Sequence, residues 1–196
     1  NLKNIMMTAV ICLTTASFAS AQDGSALPFV RIDRNPVSAG MGFAGAASSR
    51  ETAYSSFRNS SVIPFATERL SVGASGQIWA PNGAKSTNLA FGSAFKAGKR
   101  LGFSVGGAYQ MGEEYTSFDE TGNAAGTFKP GDIVLNAGAG FLILDNLSVG
   151  ANVRYASQKL SSDNSYSAIS TDVFLTYRLS GLNITAGVSS LGSSVK

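Results

Sequence analysis

The chain has no histidine and a single cysteine in 196 residues. Without histidine there is no Ser-His-Asp triad, no HExxH zinc helix and no imidazole titrating near neutral pH. One cysteine, Cys12, builds neither an internal disulfide framework nor a thiolate zinc cluster. Charge is scarce as well: Asp, Glu, Lys and Arg make up 14% of the residues, about half the share of an ordinary soluble domain. The excess of 15 basic over 12 acidic residues is too small and too evenly spread to suit a nucleic-acid partner. Proline is rare at 5, whereas glycine reaches 22 and hydrophobic residues 44%, a balance neither disordered nor collagen-like. Most enzyme chemistry loses its usual residues here, so the chain is read as a non-enzyme without a cofactor.

Residues 1–21 read as a secretory leader. Asn1-Leu2-Lys3-Asn4 is a short basic start, Ile5 to Thr14 an apolar core, and Ala19-Ser20-Ala21 an A-x-A cleavage site. A membrane-spanning helix needs about 20 continuous apolar residues, and Thr8, Thr14, Thr15 and Ser17 break this run too early. Cys12 would leave with the leader, and the exported protein would be cysteine-free.

From Arg69 onward the dominant period is two, the period of a strand. Leu70, Val72, Ala74 and Ile78 alternate with Ser71, Gly73, Ser75 and Gln77. Leu101, Phe103, Val105 and Tyr109 alternate with Gly102, Ser104, Gly106 and Ala108. Leu147, Val149, Ala151, Val153 and Tyr155 face away from Ser148, Gly150, Asn152 and Arg154. Comparable runs at 88–95, 133–143, 169–179 and 182–188 bring the expectation to seven strands. Each is roughly 8–12 residues long.

The connections alternate in length. Gly98-Lys99-Arg100, Asp145-Asn146 and Ser180-Gly181 are short, whereas Pro81 to Ser86, Gly112 to Gly131 and Lys159 to Tyr166 are longer. Short turns on one side and longer loops on the other are the signature of an outer-membrane β-barrel. The short turns then belong in the periplasm and the long loops outside. A strand of ~10 residues rising ~3.3 Å each and tilted ~45° spans ~23 Å, close to the ~25 Å apolar band such barrels need. A soluble sandwich would place Lys and Glu on its outer face. Here the less apolar face is mostly Gly, Ser, Ala and Asn, which suits a packed interior. Tyr109, Phe141, Tyr155 and Tyr177 lie toward strand ends on the other face, as aromatic girdles do.

The fold expected is therefore all-β, an antiparallel transmembrane barrel. Seven strands do not close one, since bacterial single-chain barrels are even-numbered and an open edge in lipid leaves backbone groups unpaired. The sequence is accordingly expected to be the N-terminal part of a longer protein. Residues 1–21 would be the leader, 22–68 a hatch or periplasmic segment, and 69–196 the N-terminal half of the barrel, at the bacterial outer membrane.

Residues 28–65 lack sustained alternation and are rich in Ala, Ser and Gly. Gly40-Met41-Gly42-Phe43-Ala44-Gly45 formally matches GxGxxG, but Arg31-Ile32-Asp33-Arg34-Asn35-Pro36 before it is no buried strand, so a dinucleotide site is not expected. The glycines read instead as close-packed backbone, where no side chain fits. The stretch Pro36 to Ala47, followed by Ala53-Tyr54 and Asn59-Ser60-Ser61, resembles the start of PorV/PorQ-type proteins, within the wider class similar to FadL. Ala39, Gly40, Met41, Gly42, Gly45 and Asn59 fall on that family's pattern, although the proline of its Asn-Pro-Ala box is absent here. Val188-Ser189-Ser190-Leu191-Gly192 also resembles the family's "NLG" step, with Ser190 in place of Asn. The resemblance implies an outer-membrane barrel of about 14 strands, with the segment before strand one inserted as a hatch.

PorV-like members serve the type IX secretion system of Bacteroidota, where they bind cargo signal domains. The resemblance thus implies secretion or surface-protein assembly through protein contacts with secretion-machine subunits or cargo, in outer-membrane lipid. The alternative is a FadL-like channel for hydrophobic small molecules. One site remains. A register symmetric about residue 163 would set Val153 opposite Val173, Tyr155 opposite Thr171, and Arg154 opposite Asp172 on the lumen face. Arg154 and Asp172 are then a candidate lumen charge pair, either satisfying two interior charges or gating or binding a ligand.

Overall fold

Every period-two stretch becomes a strand, and tight turns tie neighbouring strands into one antiparallel sheet. The computed structural model describes residues 27–42, 44–50, 52–80, 85–118, 122–159, 161, 164–180 and 182–192. The expected leader lies outside them. The strands are β1 (Leu70–Trp79), β2 (Ser86–Ala97), β3 (Leu101–Met111), β4 (Tyr115–Phe118), β5 (Ala124–Phe128), β6 (Gly131–Leu144), β7 (Leu147–Lys159), β8 (Ser165–Leu179) and β9 (Leu182–Gly192). Seven of them form one sheet in the order β1-β2-β3-β6-β7-β8-β9, with β1 and β9 at its edges. At the β2–β3 turn Gly98 takes φ +68°, a left-handed conformation that glycine adopts at no steric cost.

The connection from Gly112 to Gly131 is not a plain loop. It carries the hairpin β4–β5, which pairs Tyr115 with Phe128 and Thr116 with Thr127 as a separate two-stranded sheet. Strands of four and five residues are too short to leave a period-two signal.

The expected register between β7 and β8 is corrected by two residues. Val173 faces Ala151, Thr171 faces Val153, Asp172 faces Asn152 and Arg154 faces Ser170. The expectation puts Lys159 to Tyr166 in the connection and centres the register on residue 163. Pairing continues instead through polar positions to Lys159 opposite Ser165, leaving a shorter connection centred one residue earlier. A slip of two preserves which side chains share a face.

The two faces of the sheet differ sharply. Large apolar side chains, among them Val72, Phe103, Leu135, Val153 and Ile184, are about half exposed on one face. The other face is covered by residues 27–66, which contact the sheet from edge to edge. Thr52 Oγ1 meets Ser71 Oγ on β1 at 2.9 Å, and Asn183 Nδ2 of β9 donates to Ala47 O at 2.9 Å. Along the strands the segment reaches from the long-connection end, where Leu27 and Phe29 pack on Ala90, Ala108, Val134 and Ala156, to the short-turn end, where Lys96 Nζ of β2 donates to Ala66 O at 2.8 Å. This covered side is called the inner face below.

Candidate functional site

The inner face is built from small residues because backbone lies directly on it. A Cβ added at Gly73 would stand 2.8 Å from the Tyr54 ring, one at Gly102 2.7 Å from Ile63 Cβ, and one at Gly150 2.6 Å from Ser61 Cα. Gly92 and Gly140 are likewise filled, by the carbonyls of Ala53 and Ser60. Glycine here lets the segment's backbone approach the sheet closely.

Close approach brings polar groups into a dry seam, where each needs a partner. Asn59 organises it. Its Oδ1 accepts from Ser61 N at 2.9 Å and from Ser61 Oγ at 2.6 Å, capping the 3-10 turn Ser60–Phe65. Its Nδ2 donates to Ala46 O at 2.9 Å and to Thr176 Oγ1 at 3.3 Å. Ser60 bonds Ser104 Oγ at 2.8 Å and donates to Asn152 Oδ1, while Ser148 Oγ of β7 donates to Ser61 O. Asn59, Ser60, Ser61, Ser148, Asn152 and Thr176 are all fully buried. One seam thus joins the segment to β3, β7 and β8.

Charge gathers beside this seam. Arg154 Nη2 of β7 pairs with Asp172 Oδ2 of β8 at 3.1 Å and also donates to Phe57 O at 3.0 Å, while its Nε donates to Asn136 Oδ1 at 3.1 Å. The pair is diagonal, two positions apart across the strands, which long side chains bridge. Asp172 Oδ1 further accepts from Ser190 N at 2.6 Å, holding a bulge in β9 where Ser190 takes φ +61°. From the segment, Arg58 pairs with Asp33 at 3.4 Å. Arg34 donates to the carbonyls of Phe29 (2.9 Å), Ile32 (2.6 Å) and Val30 (3.2 Å) and lies over the Phe57 ring, 5.5 Å from its centroid. Burial, then the nearby Arg154 charge, pulls the Arg34 guanidinium down to about 10, so it stays protonated at neutral pH. Val30, Ile32, Asp33, Arg34, Phe57, Arg58 and Arg154 line an open cavity of about 160 Å³.

Of the residues singled out in the sequence, Asn59, Arg154 and Asp172 meet in this region. Ala39 and Gly40 end the short helix Pro36–Gly40, and Met41 follows it with its side chain exposed. The reading of these glycines as close-packed is corrected. Nothing lies within 4 Å of where a Cβ would stand at Gly40 or Gly42, and Gly42 and Gly45 instead take φ +68° and +112°. They serve a turn, and the close-packed glycines are those of the strands. Asp33, Arg34 and Arg58 went unremarked because the segment holding them has no periodicity to mark an inward position. Asn152 and Thr176 were legible by parity, as hydrogen-bonding groups on a face of small residues.

No family model matches the chain, and no curated protein matches it.

Proposed function

We propose that the chain is part of an outer-membrane β-barrel of PorV/PorQ type, with residues 27–66 as its hatch and with a role in type IX secretion or surface-protein assembly through protein contacts. The observation that carries the membrane reading is the bare apolar face, where Leu70, Val72 and Ile78 of β1 are 60%, 67% and 69% exposed. Moving a Val, Leu, Ile or Phe side chain fully out of water is worth ~1.5–3 kcal/mol. A whole face of half-exposed ones outweighs the ~5–15 kcal/mol net stability of an ordinary domain, so the face calls for lipid. Strands of 10 to 15 residues suit a crossing by tilted strands. Tyr109 and Tyr155 toward one end of that face, and Phe141 and Tyr177 toward the other, suit the two interfaces of a bilayer.

Protein contact is favoured over solute passage because the inner face is occupied and polar. Two of its cavities, about 160 and 220 Å³, hold charged groups in their lining, Asp33, Arg34, Arg58 and Arg154 in one and Lys85 and Asp132 in the other. Deleting the gene in its host tests the reading. Loss of surface-displayed cargo, with uptake of long-chain hydrophobic solutes unchanged, is the expected outcome. Lost uptake with normal surface display would overturn it in favour of a FadL-like channel.

A further inference from the structure

We propose that the cavity between Arg34, Arg58 and Arg154 holds one small oxyanion, a tetrahedral phosphate-type group or a carboxylate. Three guanidiniums converge there from two parts of the chain, Arg34 and Arg58 from the segment and Arg154 from β7. Only two carboxylates answer them among the described residues. Asp172 is committed to Arg154 and to Ser190 N, whereas Asp33 accepts from Asn35 N at 3.0 Å through Oδ1 and lies 3.4 Å from Arg58 Nη1 through Oδ2, which makes no hydrogen bond among the described residues. Among the described residues the cluster sets three guanidiniums against these two carboxylates.

A donor is left over as well. Arg34 is 3% exposed, yet its Nε has no acceptor. Arg154 spends Nε and Nη2 on Asn136, Phe57 and Asp172. A buried donor without a partner costs ~1–3 kcal/mol, more for a charged group, so the arrangement calls for an acceptor carrying negative charge. Guanidinium forks match the oxygens of carboxylate and phosphate geometrically. Val30, Ile32 and Phe57 wall part of the space.

Size restricts the ligand. At ~30 Å³ for each water, a cavity of about 160 Å³ has room for a single oxyanion with a few waters and not for an acyl chain. Entry is available beside Arg58, whose side chain is 26% exposed. Bound there, the anion would clamp the segment to the sheet, because its donors come from both. The inference stands on these contacts and is independent of any role in secretion.

Thermal unfolding of the intact protein in detergent, at matched ionic strength with sodium phosphate, sodium acetate or sodium chloride, tests it. Phosphate or acetate at tens of millimolar should raise Tm by about 2–4 °C over chloride. The larger effect identifies the tetrahedral or the carboxylate source. Arg34→Gln should abolish the shift, and Arg58→Gln, the milder change, should require at least tenfold more anion for the same shift. If Arg34→Gln does not fold, Arg58→Gln decides. Equal Tm values in all three salts, or an undiminished shift in folded Arg58→Gln, overturns the proposal.

Discussion

Gly150 and Gly76 are the same residue in the same kind of strand, and the structure asks opposite things of them. Gly150 lies on the inner face against the backbone of Ser61, so a methyl group there has nowhere to go. Gly76 shares the outward parity of Val72 and Ile78, and a Cβ would meet Leu89 Cδ2 at an ordinary 3.5 Å. Overpacking costs ~1–3 kcal/mol, whereas replacing a strand glycine in open space recovers up to ~1 kcal/mol of backbone entropy. Gly150→Ala is therefore expected to lower stability by about 1–3 kcal/mol in denaturant unfolding, and Gly76→Ala to leave it unchanged or raise it. Equal losses at both would mean that the segment does not rest on this face. Parity alone separated the two glycines in the sequence. A hatch before strand one was expected from the family resemblance, but which of its groups meet the small-residue face was not legible, because residues 27–66 make their contacts through backbone and short polar side chains that follow no period.

Elements followed the sequence where periodicity spoke and departed from it where other forces ruled. Seven strands and their short turns were legible because alternation and turn residues agreed. The β4–β5 hairpin was hidden by its brevity, and the β7–β8 register by polar residues that keep pairing past the apolar band. Arg154 and Asp172 nevertheless meet, because a two-residue slip keeps both on the inner face and a guanidinium reaches the diagonal neighbour. Their node also fixes β9. Ser190 takes the left-handed conformation opposite Asp172, where Asn would be more at ease. Breaking a buried ion pair by removing one partner costs ~3–5 kcal/mol. Asp172→Asn alone should lose that much, and adding Arg154→Gln should recover part of it, with a coupling of about 1–3 kcal/mol in a double-mutant cycle. Strictly additive losses would show that the two charges do not depend on one another.

At the scale of the molecule, one sheet presents two unlike surfaces, and each implies a different neighbour. The inner face is covered within the chain, by the Asn59 seam, the glycine contacts and the arginine cluster. The outer face is covered by none of the described residues, and the proposed neighbour is lipid. Strand β1 separates the two cleanly, since Ser71, Ser75 and Gln77 are half-buried while Val72, Ala74, Gly76 and Ile78 are exposed. The most direct measurement is a nitroxide scan of these seven positions, in a variant lacking Cys12, the chain's only cysteine, with the protein in a lipid bilayer. Oxygen, which concentrates in hydrocarbon, should relax the labels at 72, 74, 76 and 78 strongly and those at 71, 75 and 77 weakly, giving a period of two. A water-soluble nickel chelate that reaches positions 72, 74, 76 and 78 at least as well as oxygen does would contradict a lipid-facing sheet.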